Sequence, residues 1–245
     1  MIGFADLFAR LDSTTKTNEK VDAMANYFAS AEPFDAAWAA WFLSGNKLRR
    51  LVPTKMLRLW AAEEADIPEW LFEESYHAVG DLAETISLVV PAGKPSDQRS
   101  LTEWIQFRLL PLRSMDEHRQ REAVIAIWND TPKAMRLVIM KLITGAFRVG
   151  VSKRLLTRAL AQHSGVPAEV IAHRLMGAWK PSPDFFHRLT DPNVGDTENS
   201  HRDPCCLAHA LEDASGPTSL GNASEEVAES RWVATRGQLI RRRSQ

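Results

Sequence analysis

The feature that most constrains this chain is the helical spacing of its apolar residues, which runs to about residue 190 with no period-2 alternation of the kind strands show. Phe4, Leu7, Phe8 and Leu11 recur at i, i+3, i+4 and i+7, the stripe of an amphipathic helix. Val21, Met24 and Phe28 repeat that spacing ahead of Pro33, and Met56, Leu59 and Trp60 share one side of a helix that follows Pro53. Ser114 followed by Glu117 reads as a capping box, opening a helix that buries Val124, Ile127 and Trp128. Thr131-Pro132 and Ser182-Pro183 read as N-cap plus N1-proline starts, and Gly145, Gly165 and Gly177 as helix stops. About ten helices with short connections are expected. No long period repeats, so a regular solenoid is disfavoured. The expected fold is all-α and irregular.

Beyond Thr190 the character changes. Pro192, Gly195, Pro204, Gly216, Pro217 and Gly221 fall among polar residues, which is linker composition. A strand in the last stretch would have nothing in this chain to pair with. Two regions are therefore expected: a helical domain over residues 1–190, and a mostly non-helical extension over 191–245.

Composition excludes other classes. With 8 Trp and 10 Phe, the chain has large side chains to bury and is not disordered throughout. The longest apolar run, Ala36 to Leu43, is far short of the ~20 residues of a membrane span. Asp6 and Asp12 in the first amphipathic pattern do not suit a signal peptide. Two adjacent cysteines, Cys205 and Cys206, make no disulfide framework, so a reducing cytoplasm is expected.

The formal net charge of −1 conceals an uneven distribution. From Ala36 to Ala62 the chain carries Lys47, Arg49, Arg50, Lys55 and Arg58 and no acid. From Lys133 to Ala168 it carries Lys133, Arg136, Lys141, Arg148, Lys153, Arg154 and Arg158, again with no acid. Such segments predict a cationic face. Within the second one, Gly145 and Gly150 precede a helix capped by Ser152. Glycines at a helix entrance let the backbone approach an anion, and the free N–H groups of the new helix point at it. Lys153 and Arg154 oppose the helix dipole in the first turn, a penalty that a phosphate would remove. Arg154 and Arg158 are four apart and project from one face. The pattern suits phosphate-backbone binding without base reading. The same pattern also fits a solvated basic helix face.

Other candidates carry less. Cys205, Cys206 and His209, with His201 nearby, lack the spacer usual between zinc ligands. His77, His163 and His173 lie among helical core residues and read as polar-face or hydrogen-bonded histidines rather than catalysts, and Glu63, Glu64, Glu73 and Glu74 have the spacing of a solvated helix face. Trp38, Trp41, Trp60, Trp70, Trp104 and Trp128 have aliphatic neighbours and are expected in the core. There is no P-loop and no dinucleotide fingerprint.

The segment from Lys141 to Ala161 (Lys-Leu-Ile-Thr-Gly-Ala-Phe-Arg-Val-Gly-Val-Ser-Lys-Arg-Leu-Leu-Thr-Arg-Ala-Leu-Ala) resembles the core of the helical N-terminal DNA-binding domain of bacterial ATP-dependent DNA ligases. Val52-Pro-Thr-Lys-Met-Leu-Arg58, the stretch from Trp70 to Thr85, and Arg174-Leu-Met-Gly-Ala-Trp179 agree with it. The likeness covers about the first 190 residues. It implies a domain that grips duplex or nicked DNA through the minor groove and the flanking phosphates, in repair, recombination or replication. By resemblance the DNA-contacting positions are Gly80, Asp81, Thr144, Gly145, Arg148, Gly150, Ser152, Lys153 and Arg154; helical spacing adds Arg158. A monomer is expected, cytoplasmic and nucleoid-associated in a bacterium. DNA is the expected partner, other repair proteins are admitted, and no membrane is.

The tail departs from the family. Complete ligases continue into a nucleotidyltransferase domain opening on Lys-x-Asp-Gly and, in the bacterial group, Arg-Gly-Gln-Leu-Ile. Here Trp232 and Arg236 to Ile240 match, but the nucleophilic lysine position is Arg231, the aspartate is Val233 and the glycine Ala234. Arginine stays protonated and cannot attack the α-phosphate of ATP. The resemblance thus implies ATP and magnesium for the complete enzyme, while no catalytic residue and no bound cofactor are expected of this chain. The competing expectation is a helical protein-interaction scaffold whose basic face is incidental.

Overall fold

A computed structural model describes residues 1–93 and 99–194. Among them the regular elements are helices alone: α1 (Ile2–Asp12), α2 (Thr17–Ser30), α3 (Pro33–Leu43), α4 (Thr54–Glu64), α5 (Glu69–Val79), α6 (Leu82–Val89), α7 (Leu101–Glu103), α8 (Glu117–Asn129), α9 (Lys133–Thr144), α10 (Lys153–Ser164), α11 (Ala168–Arg174) and α12 (Pro183–Thr190). The fold is all-α, as the spacing predicts, with α7 running on into a π-helical turn at Trp104–Leu109 and a 3-10 turn at Leu110–Ser114. No described helix is long and apolar enough to cross a membrane.

The helices follow from their apolar stripes and caps. Phe4, Leu7, Phe8 and Leu11 are buried on α1, and Val21, Met24 and Phe28 on α2. The apolar run at Ala36–Leu43 forms most of α3, whose residues are buried nearly all round. Ser182 caps α12 through the Phe185 N–H, with Pro183 in the first turn, as the sequence suggests. Two capping expectations are corrected. Ser114 does not open α8; its hydroxyl donates to the Pro111 carbonyl at 3.0 Å, and Asp116 accepts the Arg119 N–H at 3.0 Å instead. Asp116 stands next to the helix, so its carboxylate reaches the first-turn amides without looping back. The capping box belongs to Ser100 and Glu103, at the start of α7. Thr131 likewise does not cap α9, because its hydroxyl bonds back to the Ile127 carbonyl of α8 at 2.7 Å.

Helix α2 lies between α1 and α10, α6 packs on α9, and α12 packs on α3. Aromatic rings join these layers. Phe4 stacks on Phe147 at 5.4 Å between ring centroids and tilts against Phe42 at 6.1 Å. Asp35 ties α3 to α7 across 66 residues of chain, accepting the Leu101 N–H at 2.9 Å and the Thr102 N–H at 2.8 Å. Of the tryptophans expected in the core, Trp38, Trp60, Trp104 and Trp128 are buried and Trp41 is half-buried. Trp70 is the correction: it is 66% exposed, because α5 turns Phe72 inward and leaves its first turn facing water.

Candidate nucleic-acid interface

The loop from Gly145 to Ser152 is irregular but firmly seated. Helix α9 ends where Gly145 adopts a φ of 71°, a conformation costly for any residue with a Cβ. The Phe147 ring then enters the core, 5.6 Å from Phe8 and 5.8 Å from Phe42. Val149 is buried as well, so Arg148 and Gly150 are left on the outside. From α2, 129 residues away in sequence, the Lys20 ammonium donates to the Val149 carbonyl at 2.8 Å and reaches the Gly150 carbonyl at 3.2 Å. Sequence reasoning missed Lys20, since nothing local marks a lysine as the floor of a distant loop.

Helix α10 continues outward from that loop. Ser152 accepts the Leu155 N–H at 3.3 Å, while Leu156, Ala159 and Leu160 face the core. Lys153, Arg154 and Arg158 are exposed, and the first turn holds no acid. Arg158 donates to the Asn18 side chain at 3.2 Å, which steadies it across the surface. Among the described residues, the backbone N–H groups of Gly150, Val151, Ser152, Lys153 and Arg154 meet no protein acceptor. Cations and free amides therefore lie together on one exposed stretch.

The remaining expected positions converge nearby on a cleft of about 330 Å³, lined by Thr54, Arg58, Gly80, Asp81, Thr144 and Ala146, among others. Gly80 ends α5 and Asp81 begins α6, where one carboxylate oxygen accepts the Glu84 N–H at 2.9 Å and the other pairs with Lys141 at 3.0 Å. Burial alone would raise the Asp81 carboxyl; the Glu84 N–H and the Lys141 ammonium outweigh it and hold the carboxyl below its ordinary value. The Thr144 hydroxyl donates inward to the Met140 carbonyl at 2.8 Å. A Cβ on Gly145 would sit 3.7 Å from the Lys47 stem, so the two acid-free basic segments meet at this loop.

The charge count itself needs correcting. Arg136, counted toward the cationic face, is fully buried and donates to the Val90, Pro91 and Trp128 carbonyls at 2.8, 2.8 and 2.6 Å. Lys141 is held by Asp81, and Arg58 by Glu73 at 2.9 Å. The acids of α4 and α5 are thus partly surface ion pairs, with Glu63 bound to Arg121 at 2.9 Å. His163 lies against the Phe28 and Phe186 rings, and burial lowers its pKa.

Cys205, Cys206, His201, His209 and Arg231 fall outside the described residues. Among the described residues no group of three or more His, Cys, Asp or Glu side chains is placed to hold a metal ion.

Two comparisons bear on this surface. A family model described as DNA ligase N terminus matches residues 2–161. A protein of Opitutus terrae described as a probable DNA ligase is 24% identical over 222 residues, covering 71% of this chain and 21% of its own length. The chain thus spans about a fifth of the length of that relative.

Proposed function

This chain belongs to the DNA ligase N-terminus family, and we propose that it holds duplex or nicked DNA by its phosphates as the gripping part of an ATP-dependent ligase. The observation that carries this reading is the exposed run from Arg148 to Arg158, where Arg148, Lys153, Arg154 and Arg158 flank amides without acceptors and no acid intervenes. Phosphate oxygens accept from such amides and complement the positive end of α10. Each neutralised phosphate releases condensed counterions, so affinity is strongly salt-dependent and indifferent to sequence. The cleft joining Gly80, Asp81 and Thr144 extends the contact along the backbone, with Arg58 at its edge.

The contacting set is Gly80, Asp81, Thr144, Gly145, Arg148, Gly150, Ser152, Lys153, Arg154 and Arg158. Residues 1–190 form the DNA-holding unit, and 191–245 are, by their sequence, a linker and a degenerate start of a nucleotidyltransferase domain. The chain acts as a cytoplasmic, nucleoid-associated monomer in repair, recombination or replication. Sealing is not its own work, because Arg231 stands where the nucleotidyl lysine is required. Arginine stays charged at neutral pH and makes no phosphoramidate with AMP.

Fluorescence anisotropy with a labelled nicked duplex at low salt tests the reading: binding is expected, to every sequence alike. No binding would favour an interaction scaffold with an incidental basic face. Incubation with radiolabelled ATP is expected to leave no protein-bound AMP, and a stable adduct would overturn the assignment of Arg231.

A further inference from the structure

Lys20 lies outside both acid-free basic segments. It is buried, it sits on α2, and its ammonium is spent on two backbone carbonyls of the loop that leads into α10. We infer that Lys20 is a positioning residue for phosphate binding: by drawing the Val149 and Gly150 carbonyls inward, it turns the Gly150 and Val151 amides outward toward the DNA backbone. The inference rests on the phosphate-gripping reading above.

The step is peptide geometry. In a trans peptide unit the C=O and the N–H point in opposite directions. The Val149 carbonyl shares its unit with the Gly150 N–H, and the Gly150 carbonyl shares its unit with the Val151 N–H. A donor beneath both carbonyls therefore fixes both amides on the far side, where they meet no protein acceptor among the described residues. Gly150 has a φ of 60°, and successive amides turned to one side at such a residue form an anion-binding concavity. A Cβ there would also crowd the Lys20 nitrogen, at 3.0 Å. No carboxylate accepts from Lys20 among the described residues, so its hydrogen bonds to the two carbonyls are not shared with an acid.

A space-filling role would keep α2 against the loop without orienting anything, and the experiment separates the two. Anisotropy of the full chain with a labelled nicked duplex, over a series of salt concentrations, is compared for wild type, Lys20→Met, Lys20→Arg and Arg154→Ala. Lys20→Met keeps the stem and loses the donors; about tenfold weaker binding is expected, the scale of a lost charge-assisted hydrogen bond. Its salt slope should stay at the wild-type value, since Lys20 itself meets no phosphate, whereas Arg154→Ala should make the slope shallower by about 0.9. Lys20→Arg restores the donors and should recover most of the affinity. Backbone amide resonances of Gly150 and Val151 in the wild-type chain should shift when the duplex is added. A folded Lys20→Met that binds like wild type would overturn the inference, as would a Lys20→Met slope shallower by a full contact. If Lys20→Met does not fold, the amide resonances decide, and unmoved Gly150 and Val151 signals in a formed complex would overturn it. A wild-type chain that binds no duplex marks a different failure, that of the phosphate reading, and the role of Lys20 falls with it.

Discussion

The stretch from Lys133 to Ala168 is acid-free throughout, yet Arg136 and Lys141 in its first half are used in the opposite way to the cations of its second half. In α9, Arg136 is enclosed and bonded to carbonyls at the C-terminal ends of α6 and α8, and Lys141 is held by Asp81. Those helix ends carry partial negative charge, so a buried guanidinium serves as a shared cap. In the loop and α10, Arg148, Lys153, Arg154 and Arg158 stay exposed, and the two in the first turn work against the helix dipole. The first half uses charge to hold the fold; the second leaves it available for a partner. A charge count along the chain cannot separate the two uses, because burial decides which one applies.

The largest effect is expected in the first half. Arg136→Met removes the donors to several enclosed carbonyls, and a loss of about 3–5 kcal/mol is expected in urea denaturation. Folded Arg136→Met protein should nonetheless bind DNA like wild type, and a selective loss of DNA affinity would break the division. In the second half the signs reverse. Arg154→Ala should weaken duplex binding several-fold while leaving stability unchanged or raised by about 0.3–1 kcal/mol, since a cation leaves the positive end of α10. A clear destabilisation there would show that Arg154 also serves the fold.

Smaller effects sharpen the contrast through pH. Asp81→Asn keeps the cap on α6 but loses the partner of Lys141, with an expected cost of about 0.5 kcal/mol near neutral pH. The wild-type carboxyl is held below the ordinary 3.8, so its contribution is present above that value and is lost as pH falls through the lower folded value. Denaturation midpoints of the two proteins should therefore converge in acid. Burial lowers the pKa of His163 from 6.5, so protonation favours the unfolded chain. Melting temperature should fall slightly as pH drops below 6.5, and His163→Gln should flatten that dependence.

The helices were legible because their information is local. Stripes such as Phe4 to Leu11 and starts such as Ser182-Pro183 sit within one or two turns of sequence. The π-helical turn at Trp104–Leu109 was not legible, because apolar spacing does not separate one π-helical turn from an ordinary helical one. Ser114 and Asp116 both suit the N-cap of α8, and the 3-10 turn claims Ser114, so local sequence does not decide between them. At the candidate site, glycine spacing and the α10 cations were readable, but their supports were not. Lys20, Phe147 and Asp81 act through partners far away in sequence, and no periodicity encodes such pairings. Trp70 shows the same limit, since aliphatic neighbours in sequence do not make a buried position.

The central claim is that the loop and the start of α10 grip phosphates. Its most direct test is duplex affinity measured by anisotropy against salt for wild type, Lys153→Ala and Arg154→Ala. With about four to six phosphate contacts, log K should fall with log salt at a slope near −4 to −5, and each substitution should make the slope shallower by about 0.9 on every sequence. Affinity undetectable at low salt, or substitutions that leave both affinity and slope unchanged, would contradict it.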